Sequence, residues 1–311
     1  MSAFIKSELE NCFTTGSITT QRYNNAEFVF QDPLVRLNGT TLHQLQLTLF
    51  KTAFDIKFRV FSCEATDSST FTARWSMTCT LRVAPWRPPL VLTGRSVVTV
   101  DPLTGKLTAQ RDVWDAVADI PAPSVEAYAY VVQQLTTLYT TPDLETPTYT
   151  VLRKMREYEV RRYDDYTVAQ VPMAPGDRVS GGSGFNELAA YTIGGQNTAE
   201  TKLEMTTPVF TTVSDASTPI MQFVVEGSKA ANLPGPRNPS ITPSTVRARV
   251  VAARMFGGWP QEWEVVEEER LLRGALLLDG LQPSPGYSLA RYNDPFTPPW
   301  LRRNEVLIEL P

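Results

Sequence analysis

Apolar residues occupy every odd position from Phe71 through Ala73, Trp75, Met77, Cys79 and Leu81 to Val83, while Thr72, Arg74, Ser76, Thr78, Thr80 and Arg82 fill the even ones. This alternation predicts a strand with one buried face. Ahead of it the spacing is helical: Ile5, Leu9, Cys12 and Phe13 predict one helix. Leu42, Leu45, Leu49 and Ala53 predict a second, with that stripe as its apolar face, after the Asn38-Gly39 turn and a Thr N-cap. Residues 27–33 read as a short extended piece between them. Pro85, Pro88 and Pro89 interrupt the strand pattern, residues 90–100 resume it, and turns at Asp101-Pro102 and Thr104-Gly105 lead to a last strand over 106–114. A short helix is predicted from the Pro121–Ser124 stretch to residue 138. Residues 140–148 read as a Pro/Thr linker whose one apolar residue to bury is Leu144.

The second half carries one pattern twice. A strand pair (149–155 and 158–172) precedes a helix over 184–193, with Phe185, Leu188, Ala189 and Thr192 on one face and Gly194-Gly195 ending it. Strands over 201–213 and 220–226 follow. An alternating strand over 245–256, a long helix from Pro260 to Leu278, and strands over 287–292 and 304–310 then repeat the order strand, helix, strand, strand. A pseudo-twofold α+β barrel with two helices is the architecture this predicts. The whole chain is thus expected to be α+β, with a domain over 1–118, a connecting segment over 119–148 and a domain over 149–311. The length of 311 residues agrees with about two domains.

Composition then removes several classes of function. The net charge is −4 and no cluster of Lys and Arg stands out, which argues against a nucleic-acid partner. The longest apolar runs, such as Leu276–Leu278, fall far short of the ~20 residues that span a bilayer, so no transmembrane segment is expected. His43 is the one histidine, and Cys12, Cys63 and Cys79 are the three cysteines. Residues 80–311 therefore lack the side chains for an N/S zinc site, a Ser-His-Asp triad, a thiol nucleophile or a histidine-ligated haem. The odd cysteine count fits a reducing compartment with the thiols in the core. The first eleven residues, with Glu8 and Glu10, lack a charged-then-apolar layout, so a targeting peptide is expected to have been removed or never to have existed.

Particular motifs carry resemblances to known families. In residues 4–116, Phe30-Gln31-Asp32-Pro33, the Asn38-Gly39 turn, Arg74-Trp75 and Arg111-Asp112-Val113-Trp114 resemble the NTF2-like fold, in its plant and algal branch. The resemblance implies a cone in which a bent antiparallel sheet wraps a helix. Over 149–310 the run Tyr158-Glu159-Val160-Arg161-Arg162-Tyr163, Gly184-Phe185, Tyr191 through Asn197, Met205-Thr206-Thr207-Pro208-Val209, Ala290 through Phe296, and Arg303-Asn304-Glu305-Val306 resemble the SOUL family of haem-binding proteins. That resemblance implies a distorted barrel binding haem or another tetrapyrrole in a groove beside its first helix. It also implies a plastid protein of the kind found in plants and green algae, in the stroma, plastoglobule or eyespot.

A tetrapyrrole is a flat apolar disc with carboxylates on one edge, and holding it without metal ligation needs an apolar shelf and one or two cations. The candidate shelf is Phe185, Leu188, Ala189, Thr192 and Met205, and the candidate cations are Arg178 and Lys202; the same stripe also suits ordinary packing on the sheet. Without imidazole, a haem would be held by its faces and propionates, or weakly by Met or Tyr, which suits a carrier, buffer or sensor better than an enzyme. SOUL relatives with good haem affinity have basic residues on the first helix; here it reads Asn186-Glu187-Leu188-Ala189-Ala190. That favours a less acidic ligand such as a porphyrin or chlorophyll derivative, or a groove turned to protein contacts. The NTF2-like half offers Asp32, His43 and Asp112 as an acid–base set with Trp75 and Trp114 as walls. The simpler reading is a turn role for Asp32 and an exposed first-turn position for His43. The remaining alternatives are a homodimer formed through the NTF2-like sheet and an enzyme acting on a tetrapyrrole or small apolar substrate. Glu267-Glu268-Glu269-Arg270 reads as the solvated face of the long helix.

Overall fold

Alternation over 71–83 becomes an interior strand, Thr70–Leu81, next to one edge of a six-stranded sheet in the computed structural model, which describes residues 1–84, 88–174, 177–179, 181–214 and 218–311. Residues Met1–Leu138 with Val151–Arg156 form one compact unit, and Tyr139–Thr150 with Glu157–Pro311 form a second.

The first unit opens with α1 (Ser2–Thr15), then β1 (Val29–Gln31), β2 (Arg36–Asn38), α2 (Thr40–Ala53), β3 (Phe54–Ala65), β4 (Thr70–Leu81), β5 (Pro89–Val100), β6 (Leu107–Trp114) and α3 (Val125–Thr136). The strands run β2-β1-β6-β5-β4-β3. Every pairing is antiparallel except β1 with β6, so the sheet is mixed where an antiparallel one was expected. The alternation of β4 does what its period requires: Ala73, Trp75, Met77 and Cys79 lie in the core with Ile5 and Leu9 of α1. At Gly94 of β5 a Cβ would come 2.2 Å from the Val113 carbonyl oxygen, so only glycine lets β5 and β6 approach so closely there. Helix α3, capped by Ser124, buries Ala127 and Tyr130 in this same core, so the first half of the predicted connecting segment packs with the first unit.

Two sequence readings of α2 are corrected. The predicted apolar stripe points outward, with Leu42, Leu45 and Leu49 about half exposed at 49%, 53% and 61%. The buried face carries Thr40, His43 and Leu47 instead, and His43 is 1% exposed rather than lying on the surface. The reason lies in the contacts of the other face. The His43 ring stacks on Phe30 at 4.4 Å, and Gln44 donates to the Gly16 carbonyl at the end of α1 (2.5 Å) while accepting the Ile18 N–H.

Strand β7 (Tyr149–Lys154) has its first two residues in the second unit, which further contains β8 (Glu159–Tyr163), β9 (Tyr166–Pro172), α4 (Gly182–Tyr191), β10 (Val209–Val213), β11 (Ile220–Val224), β12 (Thr242–Val246), β13 (Arg249–Phe256), α5 (Glu262–Leu278), β14 (Tyr287–Arg291) and β15 (Asn304–Leu310). Strands β8 to β15 run β12-β9-β11-β10-β14-β15-β13-β8 in one curled sheet. The order is symmetric about the β10–β14 pair. In each half the strand before the helix lies outside, the last strand lies in the middle, and the strand preceding each half crosses to the other half's edge. The predicted pseudo-twofold is thus written into the pairing. Strand β10 starts at Val209, not at residue 201, and the predicted 245–256 strand divides into β12 and β13. Helix α5 buries Val265, Leu272 and Leu276. Its acidic run is only partly solvated: Glu268 pairs with Arg254 of β13 (2.6 Å) and Glu269 with Arg273 (2.9 Å), while Glu267 pairs with Arg270 on the surface. The Pro/Thr segment over 139–150 belongs to this unit, where Glu145 accepts the Gly227 N–H and Pro147 is buried.

Candidate functional site

The main cavity of the second unit measures about 1060 Å³, at the upper end of the range for small-molecule sites. Helix α4 forms part of its wall. Gly181 caps that helix in a left-handed conformation (φ 57°), where a Cβ would stand 2.1 Å from the Met221 methyl group. Glycine is favoured there by the backbone angle, and a side chain would in addition displace the Met221 methyl group. From α4 the Phe185 ring faces the cavity, braced edge-on against Phe223 of β11 at 5.2 Å. Thr192, Met205 and Val209 continue the apolar wall, and Trp259 closes it from the loop before α5.

The structure brings four of the predicted ligand residues to this cavity: Arg178, Phe185, Thr192 and Met205. The other three do not line it. Leu188 is fully buried in the core with Tyr191 and Met221, Ala189 lies outside the wall, and Lys202 is exposed elsewhere. On a helix seated against a sheet, the positions nearest the sheet fill the core, and only those at the flank of the buried stripe reach a cavity. Glu187 accepts from Asn238 (2.8 Å) and also lies outside the wall.

Three of the cavity's functional groups went unnoticed in the sequence. Arg291, at the end of β14, donates from Nη1 to the Val179 carbonyl (2.7 Å) and from Nη2 to Thr211 Oγ1 (3.2 Å), while its buried Nε has no hydrogen-bond partner. Burial holds the Arg291 pKa below its ordinary value, and Asp177 acts in the opposite direction. Arg302 lies over the Trp259 ring at 3.5 Å and donates to the backbone carbonyls of Thr297 and Asp294. Tyr292 lines the wall, but its hydroxyl is spent on Glu305 (2.8 Å). Arg291 and Tyr292 stand in a motif that marks the family resemblance, which was the available signal.

No histidine or cysteine lines the cavity, and among the described residues no group of three His, Cys, Asp or Glu is placed to hold a metal ion. With Tyr292 engaged, Met205 is the one side chain in the wall, of the Met and Tyr pair considered from sequence, that is free to approach a haem iron. The residues present thus fit a tetrapyrrole held by its faces and carboxylates.

The acid–base candidates of the first unit have structural partners. Asp32 caps the turn at Leu34 and Val35 by accepting both N–H groups at 2.8 and 2.7 Å, as a turn aspartate does, with burial pushing its pKa up to about 6. His43 has no hydrogen-bond partner for either ring nitrogen, and burial pushes its pKa down to about 4. Asp112 accepts from Ser96 (2.6 Å) and Gln110 (3.1 Å), and burial pushes it up to about 7. Trp75 donates to the same Ser96 hydroxyl, while Trp114 is core.

The second unit thus combines a curled pseudo-twofold sheet with an apolar cavity that the guanidinium groups of Arg178, Arg291 and Arg302 line. A family model described as SOUL heme-binding protein matches residues 144–309, more than half of the chain, and the chain belongs to that family. Residues 1–108 match a second family, an uncharacterized conserved protein designated DUF2358. No curated protein matches the chain. Among solved structures it is similar to an NTF2-like protein of unknown function from Cytophaga hutchinsonii (12% identity, 37% of this chain and 90% of that one, TM-score 0.29). It is also similar to a protein with a ketosteroid isomerase-like fold from Catenulispora acidiphila, in complex with trimethylamine (10%, 43% and 93%, TM-score 0.34). A third is an LEH-like epoxide hydrolase of M. tuberculosis (15%, 43% and 88%, TM-score 0.31). At these scores the likenesses say nothing about activity.

Proposed function

We propose that this protein binds haem or another tetrapyrrole in the cavity beside α4 without imidazole ligation, as a carrier, buffer or sensor. The observation that carries the reading is the pairing of an apolar wall, from Phe185, Phe223 and Trp259, with the half-buried Arg291 in one cavity. An apolar disc is retained by the wall, and its carboxylate edge by the guanidinium. The plastid location implied by the sequence resemblance belongs to this proposal, and a fluorescent fusion expressed in a green alga tests it.

Titrating the full chain with haem, protoporphyrin and a chlorophyll derivative is expected to give a saturable Soret shift and quenching of tryptophan emission with at least one of them. No response to any of the three would sink the reading. Because His43 belongs to the first unit, His43→Ala should leave the haem spectrum unchanged. A Soret shift lost while circular dichroism stays native would move the ligand to that unit.

One observation favours a second reading, self-association through the first unit. Leu42, Leu45 and Leu49 form an exposed stripe at i, i+3 and i+7 flanked by Thr41, Thr48 and Thr52, so two copies could meet there without charge repulsion. Light scattering of the full chain at micromolar concentration should then report a dimer that Leu45→Glu dissociates. A monomeric wild type would count against it.

A further inference from the structure

The cavity's charges are distributed unevenly with respect to a ligand that carries acid groups. Three guanidiniums line it. Arg302 gives its Nε hydrogen and one Nη2 hydrogen to the Thr297 and Asp294 carbonyls and has one face covered by Trp259. Arg178 is exposed, with Tyr287 nearby, and offers a screened contact at most. Arg291 differs from both. Its two terminal nitrogens are anchored to Val179 and Thr211, which fixes the plane of the group, and its buried Nε–H is left without a partner. A buried charged donor with no acceptor is unfavourable by itself, and a ligand oxygen that fills the position relieves it.

Four carboxylates line the same cavity. Glu204 and Glu262 are exposed at its wall. Asp294 is held ionised by the Thr297 hydroxyl and the Phe296 N–H. Asp177 accepts the Gly181 N–H and offsets part of the Arg291 charge. A first ligand carboxylate therefore meets in Arg291 a guanidinium that is already fixed in place and is not neutralised by a paired carboxylate. A second meets only Arg302, already engaged with two carbonyls and the Trp259 ring, or the exposed Arg178, in a wall whose four carboxylates outnumber its three guanidiniums.

Resting on the tetrapyrrole reading above, we infer that the cavity selects tetrapyrroles with a single free carboxylate and that Arg291 is the residue that receives it. Haem and other dicarboxylic porphyrins are then secondary ligands, admitted with one acid group unpaired.

The test compares protoporphyrin IX with its monomethyl and dimethyl esters, titrated into the full chain at one detergent concentration and read by tryptophan quenching and the Soret band. The macrocycle stays constant while the number of carboxylates falls from two to one to none. The expected order is monomethyl ester tightest, by about tenfold or more over the diacid, with the dimethyl ester also weaker. Arg291→Met is expected to weaken the monomethyl ester about tenfold, leave the dimethyl ester nearly unchanged and abolish the preference between them. Arg291→Lys keeps the charge and retains part of the preference. A diacid that binds as tightly as the monomethyl ester, or tighter, overturns the inference with wild-type protein alone, whatever the variants do to folding. An Arg291→Met protein with native circular dichroism and unchanged affinity for the monomethyl ester overturns the role of Arg291. If none of the three porphyrins binds, the tetrapyrrole reading itself fails, a result distinct from binding in the wrong order.

Discussion

Glu305→Gln is expected to destabilise the second unit by about 3–5 kcal/mol, the usual effect of breaking a buried ion pair from one side. The Glu305 carboxylate is fully buried and takes five hydrogen bonds. Arg161 donates from Nη1 and Nη2 at 2.7 and 2.9 Å, Arg303 from Nη2 and Nε at 2.7 and 3.1 Å, and the Tyr292 hydroxyl at 2.8 Å. Arg161, itself 1% exposed, completes its own set with Glu159 at 2.7 Å and lies over the Tyr149 ring at 4.6 Å. Two guanidiniums and two carboxylates thus share one network, and glutamine at 305 leaves the buried Arg161 and the half-buried Arg303 facing one anion. Amide exchange of β8 and β15 reads the loss. The double variant Arg161→Met/Glu305→Leu, which removes one charge of each sign, should be less damaging than Glu305→Gln, because the penalty of an unmatched buried charge is smaller.

The pH dependence of this unit follows from the same group. Burial alone would raise the Glu305 pKa, but Arg161 and Arg303 outweigh it and hold the carboxyl well below the usual range. A depressed folded-state pKa contributes stability that is present above the unfolded value of about 4.3 and is lost as the pH falls below it. The wild-type second unit should therefore weaken from pH ~4 downward, and Glu305→Gln should flatten that slope. An unchanged acid slope in the variant would show that other carboxylates set it.

Asp112→Asn is expected to act oppositely, stabilising the first unit by roughly 2–4 kcal/mol at pH 8 and by little at pH 4. The elevation of the Asp112 carboxyl from 3.8 to about 7 corresponds to roughly 4 kcal/mol disfavouring its ionised form. Its partners, the Ser96 hydroxyl and the Gln110 amide, are neutral, and Asp32 adds repulsion. The sign is that of a raised acid: its contribution is fully present below the unfolded value near 3.9, declines between there and pH 7, and is absent above. His43, with its pKa lowered to about 4, has the opposite trend, losing stability as the pH falls from 6.5 towards 4. Its contribution cancels in the difference between wild type and Asp112→Asn. Asparagine keeps the shape and an acceptor for Ser96 while removing the buried charge. Amide exchange of β4 and β5 at the two pH values checks it; a variant destabilised equally at both would mean that the amide cannot fit the polar cluster.

The elements were legible in the chain to the extent that their period reports an exposed and a buried face. The alternation through Trp75 and Met77, the buried stripe of α5 and the repeated strand-helix-strand-strand order were all readable, because each depends on neighbours within a few residues. Helix α2 shows the limit. Its leucines have a perfect helical spacing, yet the Phe30–His43 stack and the Gln44 bonds to the end of α1 turn them outward. The candidate site was half legible for the same reason. Phe185 and Thr192 followed from the helix pattern, whereas no periodicity distinguishes Arg291 and Arg302 from surface arginines, and only the motif around Arg291 marked it.

Sequence alone determined the α+β class, the twofold repeat, the motifs of the SOUL family, and the lack of imidazole and thiolate after residue 79 that restricts how a ligand can be held. Only the tertiary structure decided which arginines line the cavity, which leucines face solvent, and that Arg161 and Glu305, 144 residues apart, share one buried ion network. The physical reason is common to all three. Hydrophobic periodicity is a property of adjacent turns of the chain, but a buried charge or polar group is tolerable only with a particular partner, and that partner is set by strand pairing and loop closure across the whole unit.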